Sequence, residues 1–316
     1  MTNYTIIIPH KNIPDLLQRC LDSIPERDDI QIIIVDDNSI PTKVDFNAFP
    51  GLNRKNTEVY FTKEDKGAGY ARNTGMKHAK GKWLIFADAD DFFMPCFNEI
   101  LELYKDNVHD IVYFKTTSVD SDTFQYHNRS EYLNYILSKI QRTKNWNLAI
   151  ILTPPWGKFI KRSLIEHNNI RFQETQYSND VFFSMRVAIS DSIKIISNDI
   201  LYCVTYRTGS LTRVDHLSKK QKLKPLTIRY QVSCEADSYL KKIGKKQYFC
   251  SRSIAWWIQL CRIDLKQFIL LFEIIKQYGL YRVVTGILRL ILSKLRKIIK
   301  KKCQNFAIKN HKRRNH

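Results

Sequence analysis

The sequence predicts an α/β fold: a doubly wound, mostly parallel sheet of Rossmann-like type, followed by a basic helical C-terminal region. Short β-branched apolar runs alternate with amphipathic stretches through the first two-thirds of the chain, which is the signature of βαβ units. Two of those runs end in clusters of carboxylates. The charge balance also changes abruptly near residue 215, where a neutral stretch gives way to a lysine-rich one.

Taken in order, Tyr4–Pro9 (YTIIIP) and Ile30–Val35 (IQIIIV) read as strands buried on both faces. Between them Leu16, Leu17, Cys20, Leu21 and Ile24 fall on one helical stripe, with Pro14 suited to the first turn. The spacing is that of a βαβ unit, so the two strands are expected to be parallel. Val59–Phe61 and Trp83–Ala87 supply two more strands, with a helix over about 69–79 between them. Residues 97–105 are expected to be helical, 110–115 a strand, 179–190 helical, and 193–206 two short strands. From about 217 onward the pattern is helical. The expected division is therefore 1–215 and 216–316, with no internal repeat and no low-complexity linker.

The chain has 316 residues, 44% hydrophobic and 12% aromatic, enough for one full α/β domain and a smaller appendage. Its net charge of +20 is unevenly placed: 216–316 holds 25 Lys and Arg against 4 Asp and Glu, while 1–215 holds 26 against 27. A basic block of that size favours polyanions, whether nucleic acid, an anionic membrane surface or a phosphorylated acceptor. A nucleic-acid-binding protein leaves the neutral, acid-lined first two-thirds unexplained, and no binding motif is present. Seven scattered cysteines without a C-x-x-C pair read as reduced thiols in the cytoplasm. No signal peptide is expected at the N-terminus, and no run of 18 uncharged apolar residues suggests a spanning helix.

The strand Ile32–Val35 runs into Asp36 and Asp37, and Trp83–Ala87 runs into Asp88, Ala89, Asp90 and Asp91. Ligands of such sheets bind outside the carboxyl ends of the strands, where both acidic clusters are expected. Three carboxylates within four residues repel one another unless a cation or donor groups compensate. A divalent cation, Mn or Mg, bridging substrate phosphates suits such oxygen ligands. Between the clusters lies Gly67-Ala-Gly-Tyr-Ala-Arg-Asn-Thr-Gly75, whose glycines allow a tight entry into a helix, either a plain helix start or one whose first turn faces an anion. Arg72 within it offers a fork of donors for phosphate or a base edge.

In this order TIIIPHKN (5–12), VDDNS (35–39), GAGYARNTG (67–75), FADADD (86–91) and WGKFIKRSLI (156–165) resemble glycosyltransferase family 2. YSNDVFF (177–183) and YRTGSLT (206–212) extend the likeness, which covers roughly residues 3–215. The resemblance implies a GT-A fold and an inverting transfer from a nucleotide-diphosphate sugar, with UDP the expected carrier. It implies that Pro9 and Asp37 line the nucleobase pocket, Arg72 holds base or phosphates, and Asp88 lies by the ribose. Asp90 would ligate the metal, Asp91 serves structure, and Asp180 is the catalytic base. Two positions depart from the family pattern: Asn179 stands where a glutamate is frequent, and the first strand ends in Pro-His-Lys.

Trp156, Lys158 and Arg162 are candidate acceptor or donor contacts, with packing the alternative for Trp156. Arg207 and Arg213 flank a Gly-Ser turn able to close over a diphosphate, and His10 and His216 are possible neighbours of the site. Trp256 and Trp257 read as helix core or interfacial anchor. In the tail, Val284, Ile287, Leu288, Ile291, Leu292, Leu295, Ile298 and Ile299 recur at helical spacing among lysines and arginines. This is a basic amphipathic helix suited to an anionic bilayer surface, or to folding back on the first domain. The acceptor expected at such a surface is a saccharide or lipid-linked saccharide. A sugar nucleotidyltransferase is the rival enzyme class, although PHKNIP lacks its glycine-rich loop.

Overall fold

In the computed structural model, residues 2–207, 217–245, 251–281, 283–288 and 291 are described. The chain divides into two compact units, Met1–Arg213 and Val214–His316.

The first unit is built on one eight-stranded sheet. Its leading elements are β1 (Tyr4–His10), α1 (Pro14–Asp22), β2 (Ile30–Asp37), β3 (Thr57–Thr62), α2 (Ala68–His78), β4 (Trp83–Phe86), β5 (Phe92–Phe93) and α3 (Phe97–Tyr104). There follow β6 (Ile111–Asp120), α4 (Glu131–Thr143), β7 (Lys158–Lys161), α5 (Arg162–His167), α6 (Asn179–Ile189) and β8 (Lys194–Tyr206). The strand order is β3-β2-β1-β4-β7-β6-β8-β5. The first four strands are parallel neighbours, with Tyr4 opposite both Ile30 and Trp83. β7 runs antiparallel to β4 and to β6, β8 is parallel to β6, and β5 is antiparallel to β8.

Alternation along each strand sends side chains into two separate cores. Ile6, Ile8, Ile32, Ile34 and Ile85 pack with Leu17, Cys20 and Leu21 of α1 and with Phe97, Ile100 and Leu101 of α3. Ile7, Ile33, Val35, Leu84 and Phe86 pack on the other face with Ala71, Ile136, Ile140, Phe183 and Val187. A sheet covered on both faces explains why its strands read as unbroken apolar runs. The doubly wound α/β class is therefore the observed one.

The segment expected as two short strands is one strand, β8. Its pairing with β6 shifts register between Tyr113 and Lys115, where Ser197, Asn198 and Asp199 bulge out of the ladder. β7 and the two-residue β5 had no counterpart in the sequence reading, and β5 is too short to carry a periodic signal.

In the second unit, α7 (Lys219–Lys242), α8 (Ser251–Ile263) and α9 (Leu270–Tyr278) follow. A capping box opens α7: Ser218 Oγ accepts from Gln221 N–H, and Gln221 Oε1 accepts from Ser218 N–H. The three helices meet at Asp237, whose Oδ2 accepts from Ser253 Oγ (2.7 Å) and Tyr278 Oη (2.8 Å). Trp257 is buried and donates from Nε1 to Gln267 O (3.1 Å), and the Arg229 guanidinium lies over the Trp256 ring. Both tryptophans therefore belong to helix packing within this unit. Among the described residues no helix is long and apolar enough to cross a membrane.

Candidate active site

The carboxyl ends of β1, β2 and β4 bring the sequence motifs to one edge of the sheet. Pro9 and His10 close β1, Asp36 and Asp37 close β2, and Asp88, Asp90 and Asp91 follow β4. Pro9 is buried opposite Val35 in the β1–β2 ladder.

The two β2 aspartates have different surroundings. His10 Nδ1–H donates to Asp36 Oδ2 (2.7 Å), while His10 Nε2 accepts from Ile13 N–H (3.1 Å). Ser39 donates to Asp36 through both its amide and its hydroxyl. Burial opposes ionisation, but the His10 and Ser39 hydrogen bonds prevail and hold Asp36 below the ordinary carboxylate value. His10 is thus a buried strut of the β1–β2 edge. Asp37 Oδ2 accepts from Gly67 N–H (2.9 Å) with Lys11 at 3.8 Å, but its Oδ1 is buried with no hydrogen-bond partner. Burial pushes the Asp37 carboxyl above its usual range, only partly offset by Lys11 and the Gly67 amide. An orphaned buried acceptor calls for an explanation, and a ligand donor supplies one.

Arg72 sits on α2, only 4% exposed, and bridges two parts of the site. Its Nη2 donates to Asp88 Oδ1 (2.5 Å), its Nη1 donates to Asn179 Oδ1 (2.9 Å), and the guanidinium stacks over Phe172. Gly69 of the 67–75 motif serves this bridge. A Cβ at Gly69 would drive into the carbonyl oxygen of Gln173 and come within 2.9 Å of Asn179 Cβ. Gly69 therefore lets α2 approach the 173–179 segment that leads into α6, and Asp180 stands in the first turn of that helix. Asn179, a departure from the family pattern, holds Arg72 where a glutamate is frequent.

The three carboxylates after β4 are compensated one by one. Asp88 pairs with Arg72, and its backbone N–H donates to Tyr202 Oη (2.8 Å). Asp90 Oδ2 pairs with Arg207 Nε (2.9 Å), and its carbonyl accepts from Arg19 and from Thr205 Oγ1. Asp91 is buried and accepts Thr205 N–H (2.7 Å). Burial, then the charges of Asp90 and Asp88, raise the Asp91 carboxyl well above its ordinary value. Arg72 and Arg207 thus supply donors to Asp88 and Asp90, and burial disfavours ionisation of Asp91. Among the described residues no group of three His, Cys, Asp or Glu forms a ready metal cage. Asp88 and Asp90 still fit a hard divalent ion: each keeps one carboxylate oxygen outside any hydrogen bond among the described residues. One or two carboxylates completed by substrate phosphates is how such ions are commonly held.

Other candidates resolve as packing. Trp156 is buried and stacks on Tyr202 (5.7 Å), and Arg162 bonds Gly81 O and Glu166. Lys158 is buried and donates to the carbonyl oxygens of Leu152 and Pro154. Arg213, His216 and the 208–212 turn lie outside the described residues. The sequence reading missed Arg19 and Tyr202, which hold the β4 loop from 71 and 114 residues away. No local pattern marks such contacts.

The family model for glycosyl transferase family 2 matches residues 5–168, just over half the chain. The chain belongs to glycosyl transferase family 2. The family 2 domain is similar to the glycosyltransferase GlyA of Streptococcus pneumoniae, 27% identical over 230 residues that span 66% of this chain and 31% of GlyA. It is also similar to a poly(ribitol-phosphate) beta-glucosyltransferase of Bacillus spizizenii, 28% identical over 63% of this chain and 31% of that protein. The chain thus spans about a third of the length of these curated relatives. Among solved structures, Staphylococcus aureus TarS 1–349 in complex with UDP-GlcNAc superposes with a TM-score of 0.55 at 17% identity, covering 88% of this chain and 90% of that one. That likeness bears on the fold, and the family 2 glycosyltransferase fold here is of the same GT-A type.

Proposed function

We propose that this family 2 glycosyltransferase moves a sugar from a UDP-sugar to a hydroxyl of a saccharide or lipid-linked acceptor, inverting the anomeric carbon, in the synthesis of a surface polysaccharide. The observation that carries the reading is the convergence of Asp37, Arg72, Asp88 and Asp90 on one sheet edge, joined through Asn179 to the helix that bears Asp180. A TarS structure with UDP-GlcNAc and a relative acting on poly(ribitol-phosphate) support the choice of donor and of a polymeric acceptor.

In this reading Pro9 and the partnerless Asp37 oxygen receive the nucleobase, Arg72 steadies base or phosphates, and Asp88 lies by the ribose. A divalent cation, Mn or Mg, held by Asp90 would neutralise charge on the leaving diphosphate. Asp180 takes the proton of the acceptor hydroxyl as its oxygen bonds to the anomeric carbon and the bond to the diphosphate breaks. UDP leaves on the opposite face.

The same reading places the protein at the inner face of a membrane. Val284, Leu288 and Ile291 are exposed on one stripe within the basic C-terminal stretch, whose continuation through 292–302 lies outside the described residues. Co-sedimentation with anionic vesicles should be lost on deleting 280–316, and undiminished binding rejects the membrane assignment.

The test of the activity is UDP release from UDP-N-acetylglucosamine, UDP-glucose and UDP-galactose, with and without Mn, by wild type and Asp90→Ala. Metal-stimulated release from one donor, abolished in the variant, is expected. Silence on every donor together with no UDP binding by calorimetry rejects the reading.

A further inference from the structure

Lys158 opens β7 with its side chain driven inward, leaving the residue 4% exposed. Nζ donates to the carbonyl oxygens of Leu152 (2.7 Å) and Pro154 (2.7 Å) and reaches Ser184 Oγ at 3.4 Å. From β6 the Tyr113 ring lies 5.7 Å from the ammonium, and its buried hydroxyl makes no hydrogen bond. Ser184 follows Asp180 by four residues on α6, so the two share a helix face one turn apart. Asp180 is the charged group that acts on the buried ammonium. The amine spends its donors on protein atoms, and burying a lysine is costly unless its charge is compensated.

We propose that Lys158 is a positioning residue for Asp180: it ties α6 to the 152–154 strap and, while protonated, sets a positive charge within reach of the carboxylate. The proposal rests on the reading of Asp180 as the base. Burial, only partly offset by Asp180, pushes the Lys158 ammonium down to about 7. The hydrogen-bond set suits both protonation states. As an ammonium, Nζ donates three times. As an amine it keeps both carbonyl bonds and accepts from the Ser184 hydroxyl through its lone pair. The strap therefore survives loss of the proton, and only the charge within reach of Asp180 changes. With that charge present, Asp180 stays ionised to lower pH and remains ready to take a proton.

The experiment follows UDP release against pH, with the donor selected by the panel above, for wild type, Lys158→Met, Ser184→Ala and Asp180→Asn. Thermal melts and UDP binding by calorimetry are run alongside. Lys158→Met should bind UDP as wild type and keep its donor KM within about twofold, while kcat falls about tenfold or more. The acid limb of its kcat profile should move up by about one pH unit, as expected when a carboxylate loses a nearby opposite charge. Ser184→Ala keeps the charge and loosens the tie, so kcat should drop several-fold with the limb unmoved. A Lys158→Met enzyme whose kcat and KM change together with the acid limb in place has lost only packing, and the proposal falls. If Lys158→Met does not fold, wild-type kcat in Ser184→Ala overturns it instead. Activity retained by Asp180→Asn sinks the parent reading of the base, a result distinct from either of these.

Discussion

Arg72 joins the strand-end carboxylates to the helix that bears Asp180, and its replacement tests whether the two halves of the site are held as one piece. Arg72→Met removes a charge-assisted bond to Asp88, a second bond to Asn179 and a cation–π contact with Phe172. A charge-assisted bond contributes about 1.5–3 kcal/mol. The Asp88 side chain is 32% exposed, so water replaces part of that bond, and the low end applies. The Asn179 bond and the stacking on Phe172 add about 1 kcal/mol each. The total is about 3–4 kcal/mol, which for a unit of this size lowers the melting temperature by about 6–16 °C. Arg72→Lys keeps the charge but cannot reach both partners from one nitrogen, so it should lose about half as much. Both losses are read by thermal melts, and UDP release should fall more steeply than stability in either variant. A double-mutant cycle with Asn179→Ala isolates the bridge, with a coupling of about 1 kcal/mol expected. An Arg72→Lys protein that melts and releases UDP as wild type refutes the claim that the fork matters.

Three further outcomes follow from the geometry. Asp91→Asn keeps an oxygen for Thr205 N–H and removes a carboxyl whose value is raised by burial and by Asp90 and Asp88. A raised acid stabilises the fold below its unfolded value and loses that contribution as pH climbs through its folded one, so the melting temperature of the variant should gain on wild type from pH 5 to pH 8. A constant gap across that range contradicts the assignment. Asp37→Ala deletes the partnerless buried oxygen, and calorimetry should find UDP bound about ten- to a hundredfold more weakly, as for loss of a hydrogen bond to a charged group. Unchanged affinity removes Asp37 from the nucleobase pocket. Gly69→Ala forces a Cβ into the Gln173 carbonyl, so α2 and the 173–179 segment must part. UDP release should fall more than tenfold on the estimate that small misplacements cost a hundredfold. Wild-type release would mean that this close approach is dispensable.

What the sequence discloses here tracks how local each cause is. The βαβ framework was legible because unbroken apolar runs and one helical stripe are properties of neighbouring residues, and the carboxylates appear directly after those runs. Arg72 was legible as a motif position, but not as a bridge to Asn179, because that partner lies 107 residues on. The glycine motif shows the same limit. A glycine-rich helix start suggests an anion, and only the packed fold reveals that Gly69 makes room for the Gln173 carbonyl. The donors that flank the carboxylates were hidden for the same reason. Local charge counting asks for a cation or donor groups, and the fold brings Arg72 and Arg207 across the sheet to Asp88 and Asp90. A diphosphate entering this edge would therefore meet arginines already engaged with aspartates. A cation at Asp90 would take the oxygen that Arg207 leaves open, against the charge of that arginine, and full use of the carboxylate exchanges one ion pair for another. The exchange predicts that Arg207→Ala, which frees Asp90 in advance, lowers the Mn concentration needed for half-maximal UDP release, even if the maximal rate falls. A higher Mn requirement in that variant would show that Arg207 assists cation binding instead of competing with it.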